Sequence, residues 1–172
     1  MKRIVLMMVA LLCWCAPLAA QEGGFEPREA KDFKTLDEFP SVAAFEQVYE
    51  DYNRRCWDYF GACSASANCT ALREVLWDRE LNIQYRKLMA QLAPAQQEKL
   101  KEAQRQWLKM RDSAAALSQS LLAKLYSGHE GTMYQALSAV DWDKMTTPAI
   151  RERALLLKSW REFLQRKTPD GN

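Results

Sequence analysis

The chain has 172 residues, 48% of them hydrophobic and 27% charged, with a formal net charge of +2. Lys2 and Arg3 supply that surplus, so the chain beyond residue 20 carries 22 acids against 22 bases. It lacks the basic footprint of a general nucleic-acid binder, and one histidine with three scattered cysteines gives no ligand set for a metal or other cofactor.

Residues 1–20, MKRIVLMMVALLCWCAPLAA, begin with two bases, continue as an apolar run and end in small residues. That is the layout of a secretory signal peptide cleaved after Ala20. The run from Ile4 to Cys15 is too short to span a bilayer comfortably. The expected destination is the periplasm or the exterior, with no stable membrane insertion after cleavage. Export permits disulfides, and Cys56, Cys63 and Cys69 remain. Three is an odd number, so one thiol stays free or pairs elsewhere.

Residues 21–40 are polar and punctuated by glycine and proline, which predicts a flexible leader. Residues 21–52 hold nine acids and three bases, and the remainder compensates. Ser41 is a natural helix cap, after which Phe45, Val48, Tyr49, Tyr52, Cys56 and Tyr59 recur at helical spacing. Residues 61–68, GACSASAN, read as a loop. Thr70 then caps a second helix with a stripe of Trp77, Leu81, Tyr85, Leu88 and Leu92.

Pro94 opens a third helix, whose Leu100, Ala103, Trp107, Met110, Ala114, Leu117 and Leu121 alternate three and four apart. This predicts an inward face on one long central helix ending at Gly128. Residues 128–131, GHEG, link it to a shorter helix from Thr132 to about Val140. Thr147 and Pro148 start a last helix with Ile150, Ala154, Leu157, Trp160 and Leu164 on one side. The expectation is all-α: a small bundle of about four to five helices, with residues 41–167 as a single domain and at least one disulfide.

Catalytic chemistry finds little support. His129 sits in a short loop with no nucleophile motif near it. Asp78 and Glu80 are two apart on a helix and point in different directions. No enzyme is expected. Trp77, Trp107 and Trp160 fall on apolar stripes and read as core. Trp142, in VDWDKM, is the indole most suited to partner contact.

Gln104 and Arg111 bracket Trp107 along one side of the third helix, while Asp78, Asn82 and Tyr85 line the second. Two antiparallel helices joined near Pro94 would lay these sets together as a structural polar clasp that fixes register. WDRELNIQYRKLMAQL followed by LKEAQRQWLKMRD resembles the lysozyme-inhibitor LprI-type domain family of small secreted bacterial proteins. Asp78, Glu80, Leu81, Asn82 and Tyr85 match its first motif; Ala103, Gln104, Trp107, Arg111 and Asp112 match its second. The resemblance covers roughly residues 56–164.

The resemblance implies a cysteine about nine residues before Asp78, which is Cys69, and an earlier partner, for which Cys56 is suitably placed. Cys63 competes for the same partner or stays free. Many members also carry a later disulfide; here Ala114 and Ala115 follow Arg111-Asp112, and no cysteine precedes Thr147 and Arg151, so the later link is expected to be more mobile. The function implied is a non-enzymatic secreted or periplasmic protein that inhibits a c-type lysozyme. The alternative is an envelope-associated protein-binding module without effect on lysozyme. His129 and Glu130 in the later loop, with Trp142, are the candidate partner contacts, and the acidic stretch before Tyr52 is a second candidate surface.

Overall fold

The computed structural model describes residues 24–166, and every regular element within them is helical. The expected signal peptide, residues 21–23 and the tail 167–172 lie outside the described residues. Two single 3-10 turns, Ala30–Asp32 and Leu36–Glu38, precede α1 (Val42–Phe60), α2 (Ser64–Met89), α3 (Pro94–Leu125) and α4 (Thr132–Gln165).

Each boundary has a local cause. The Ser41 hydroxyl accepts the Ala44 N–H at 3.1 Å, capping α1. Gly61, at φ 67°, lets the chain leave that helix. The expected loop at residues 61–68 is largely helical instead, because α2 begins at Ser64 with Cys63 as its N-cap. Its small side chains allow close approach to α1: Ser66 is fully buried and donates to the Gly61 carbonyl. Thr70 is therefore an interior residue, not a cap; its hydroxyl donates to the Ser66 carbonyl and accepts from Trp57 Nε1, both at 3.1 Å. A Cys56–Cys69 disulfide joins the two helices. Closing a loop of this length stabilises by roughly 3 kcal/mol on the chain-entropy model. Cys63 is buried and lies outside that bridge.

The two helices expected after residue 131 are one. α4 runs through Pro148 without a break. Proline inside a helix costs about 3 kcal/mol by removing one N–H and crowding the preceding turn. Here Pro148 sits on the exposed side, while Ala136, Asp143, Thr147, Ile150, Ala154 and Leu157 bury a continuous face on both sides of it. The hydroxyls of Thr146 and Thr147 donate to the Trp142 carbonyl and the Asp143 carboxylate, at 2.9 and 2.6 Å, bracing the turn before the proline.

α4, and not α3, is the central helix. It lies parallel to α2, which it packs most heavily, and antiparallel to α3; α1 is antiparallel to α2. Paired side chains set these directions: Glu74 meets Trp142 while Leu88 shares a groove with Trp160; Gln104 meets Arg153 while Tyr126 meets Asp141; Phe45 stacks edge-on against Trp77 while Cys56 bonds Cys69. The core runs from Phe45, Tyr49 and Tyr52 through Leu76, Trp77 and Leu81 to Ile150, Ala154 and Leu157.

α3 buries only the first part of the stripe its sequence suggests, through Leu100 and, partly, Trp107. Leu100, Gln104, Ser118 and Leu122 are buried, whereas Met110, Leu117, Leu121 and Leu125 are 59%, 60%, 48% and 60% exposed. A three-four alternation fixes the period of a stripe, but α3 touches essentially one neighbour and buries only a narrow seam along it.

The expected flexible leader is a packed strap in its described part. Phe33 and Leu36 enter the core at 6% and 2% exposure. The Arg28 backbone N–H donates to the Tyr52 hydroxyl at 3.0 Å. Arg79 on α2 donates to the Ala30 carbonyl, and to those of Phe33 and Lys34, each at 2.9 Å. The same guanidinium pairs with the fully buried carboxylate of Glu80 at 2.9 Å. Removing one partner of a buried ion pair is strongly destabilising. Arg79→Met should therefore lower the unfolding free energy by about 3–5 kcal/mol, read from urea melts followed by circular dichroism.

Asp37 pins the strap at a second point. Its carboxylate accepts from Lys87 at 2.7 Å and from Arg161 at 2.8 and 2.9 Å. Burial alone would raise its pKa, but hydrogen bonds and charge from Arg161 and Lys87 outweigh that and hold it far below the usual carboxylate range. A depressed folded pKa stabilises above the unfolded value near 4 and loses that contribution as pH falls. Asp37→Asn should cost about 2 kcal/mol at pH 7, and the gap to the unaltered protein should narrow as melts are repeated from pH 5 downward.

Candidate functional site

The polar clasp forms between different helices from those expected. Asn82 donates to the carbonyl and carboxylate of Asp78, one turn earlier on α2, at 2.8 and 3.0 Å. Arg111 pairs with its own neighbour Asp112 at 2.7 Å. Glu80 binds Arg79, and Tyr85 packs partly buried against the core. None of these bonds α2 to α3; each of those two helices packs chiefly on α4 instead. The antiparallel α2–α3 pairing assumed a hairpin, and the turn after Met89 instead sends α3 along the other helix.

Gln104 and Trp107 do join an interhelical cluster, with a partner the sequence reading missed. Arg153 of α4 is 8% exposed and donates from Nε to Gln104 Oε1 at 3.0 Å. Its guanidinium carbon lies 5.8 Å from the Trp107 ring centroid and 5.6 Å from that of Trp160. Burial lowers its pKa. The signal was present: Thr146, Ile150, Arg153 and Leu157 are spaced four, three and four apart, so Arg153 stands on the inward face of the last helix.

A buried guanidinium held by a neutral amide depends on that amide. Replacing both partners with apolar side chains of similar shape is near neutral, whereas orphaning one of them is costly. Gln104→Leu combined with Arg153→Met should change the melting temperature little, while Gln104→Leu alone should lower stability by about 2–3 kcal/mol. Equal losses in the two variants would count against this reading of the cluster.

The remaining candidates converge at the other end of the α3–α4 pair. His129, Glu130 and Trp142 all line one open cleft of about 940 Å³, together with Tyr126, Tyr134 and Gln135. Gly128 and Gly131, at φ 78° and 107°, turn the chain between the two long helices. His129 and Glu130 are exposed on that turn. The His129 and Tyr134 rings lie 4.6 Å apart, and the Tyr126 and Tyr134 rings 6.4 Å. Trp142 is less free than its sequence context suggests: it is inside α4, partly buried, and its Nε1 donates to the Glu74 carboxylate at 2.7 Å. The Tyr126 hydroxyl donates to Asp141 at 2.8 Å, which raises the phenol pKa. These bonds fix two aromatic walls before anything enters.

The acidic N-terminal stretch presents a weaker surface than its charge count implies. Asp37 and Glu46 are drawn into pairs with Arg161 and Arg151, Asp51 pairs with Arg54, and Glu38 caps the turn at Thr35. Burial and hydrogen bonding consume the charge locally. Among the described residues, no group of three or more histidine, cysteine, aspartate or glutamate side chains is placed to hold a metal ion, and no helix is long and apolar enough to cross a membrane.

Comparison with curated proteins and with solved structures returns no match. A family model described as Lysozyme inhibitor LprI matches residues 61–152, a span from the start of α2 across the cleft to the inward face of α4. That span is more than half of the chain and contains both motifs around Asp78 and Trp107, so the protein belongs to the LprI lysozyme-inhibitor family.

Proposed function

We propose that this protein is a non-enzymatic, periplasmic or secreted inhibitor of a c-type lysozyme, acting through the loop at residues 128–131. One observation carries the reading: within the family match, the exposed His129 and Glu130 stand on a glycine-bounded turn whose two ends are anchored in the longest helices of the fold. A protruding, pre-shaped turn on a stiff support loses little conformational entropy on entering a concave enzyme cleft. Glu130 gives that turn a negative charge suited to a basic partner. The signal-peptide pattern of residues 1–20 supports an extracytoplasmic site of action.

The test is a lysozyme turbidity assay with the oxidised chain from Gln21 to Asn172. Inhibition should be stoichiometric, and Glu130→Ala or His129→Ala should weaken it by about tenfold or more with helical content unchanged. A chain that leaves lysozyme fully active at large excess would instead favour the envelope-binding module.

A further inference from the structure

The cleft behind the loop has a chemistry of its own. Its lining includes the rings of Tyr126, Tyr134 and Trp142, the carboxylate of Glu130, and no lysine or arginine. Two further carboxylates accept from the polar edges of two of these rings. Asp141 accepts from the Tyr126 hydroxyl at 2.8 Å, and Glu74 accepts from Trp142 Nε1 at 2.7 Å. A phenol or indole that donates to a carboxylate is polarised, and its ring face becomes more negative. Glu74 also accepts from the Thr146 hydroxyl at 3.3 Å, so both of these partners are neutral donors. Asp141 has Lys144 at 3.4 Å, and that lysine is 67% exposed. Negative charge thus exceeds positive charge around a set of electron-rich rings.

We propose that this cleft is an aromatic pocket for a cation, receiving an arginine side chain presented by the partner protein. The guanidinium plane lies against the Tyr134 and Trp142 faces, with Glu130 at the rim as its counter-charge and the Gln135 amide within reach of the remaining N–H groups. A cleft of about 940 Å³ exceeds one side chain, so it admits the residues flanking the arginine as well. An anion has no lysine or arginine on the lining to meet it; the one basic side chain there is His129, whose ring packs 4.6 Å from that of Tyr134. A neutral saccharide would use the same ring faces and could donate hydroxyls to Glu130, but would gain no charge–charge attraction from the three carboxylates. That the partner is a lysozyme rests on the function proposed above; the preference for a cation does not.

The test follows the Trp142 indole N–H in a nuclear magnetic resonance titration, with Trp142→Phe assigning the signal. The probes are a blocked tri-arginine peptide, a blocked tri-glutamate peptide and the trimer of N-acetylglucosamine. The tri-arginine peptide should shift the signal saturably, and the other two should leave it in place. Glu130→Gln and Tyr134→Leu, both at the open cleft, should each weaken the peptide by roughly three- to fivefold while helical content is retained. The proposal is overturned if the saccharide binds and the peptide does not, or if neither binds. It is also overturned if both variants bind the peptide as the unaltered chain does. Peptide binding without lysozyme inhibition would reject the inhibitor and keep the pocket. Full inhibition by the unaltered chain with no peptide binding would do the reverse.

Discussion

A carboxylate with no solvent around it must be given a cation, and Glu80 is given Arg79. The guanidinium has more donors than one carboxylate can use, and the surplus N–H groups collect the carbonyls of Ala30, Phe33 and Lys34. A charge buried in α2 therefore orders an irregular segment nearly fifty residues earlier in the chain. Once those carbonyls are fixed, Phe33 and Leu36 have no place to go except the core beside Tyr52 and Trp77. Buried ion pairs add little net stability against an apolar alternative, but they admit few geometries. In this protein that selectivity decides where the N-terminal strap lies.

The strap and α1 cover one side of α2, leaving its other side for α4. Fully buried Ala154 and Ala136 let α4 settle closely on its neighbours, on both sides of Pro148, as a single continuous helix. If the chain broke at the proline, the N-terminal turns of α4 would no longer be aligned with its buried half. The continuity carries Trp142 to Glu74 at one level and Arg161 to Asp37 at another. The cleft is a by-product of the same geometry. α3 meets α4 through Leu100 and Gln104 near one end and Leu122 and Tyr126 near the other, and the turn at residues 128–131 closes the second end.

The sequence revealed most where one local rule acted alone. Ser41, Pro94 and Gly128 mark helix ends by capping, ring geometry and positive φ, and the helices end where these residues say. The motif resemblance pointed to Cys56–Cys69, and that bridge is present. It hid the structure wherever tertiary contact overrode the local rule. Pro148 looks like a start signal because a helix interior normally rejects it; buried faces on both sides reverse that. Residues 21–40 look flexible because they are polar, yet Phe33, Leu36, the Arg79 bonds and the Asp37 pairs with Lys87 and Arg161 hold the described part. The stripe of Met110, Leu117 and Leu121 has the right period and the wrong orientation, since period alone does not say on which side a single neighbour will lie. For the candidate site, His129 and Glu130 were legible as a loop. Tyr126 and Tyr134 were not, because they flank the glycines on separate helices and become neighbours only when the turn is made.

The α3–α4 end also differs from the α1–α2 end in how it is held. A covalent bridge joins α1 to α2, whereas Ala114 and Ala115 occupy the region where the resemblance led to a second cysteine. In its place Tyr126 reaches Asp141 and His129 packs on Tyr134. A single hydrogen bond to a carboxylate contributes about 1.5–3 kcal/mol and, unlike a disulfide, forms and breaks without redox chemistry. Tyr126, His129 and Tyr134, which make these contacts, also line the open cleft. Local opening is easiest where few buried apolar contacts oppose it, and this end offers mainly Leu122 and Ala136. The fold is thus asymmetric: a covalent bridge holds one end, and hydrogen bonds and ring contacts hold the end that carries the cleft.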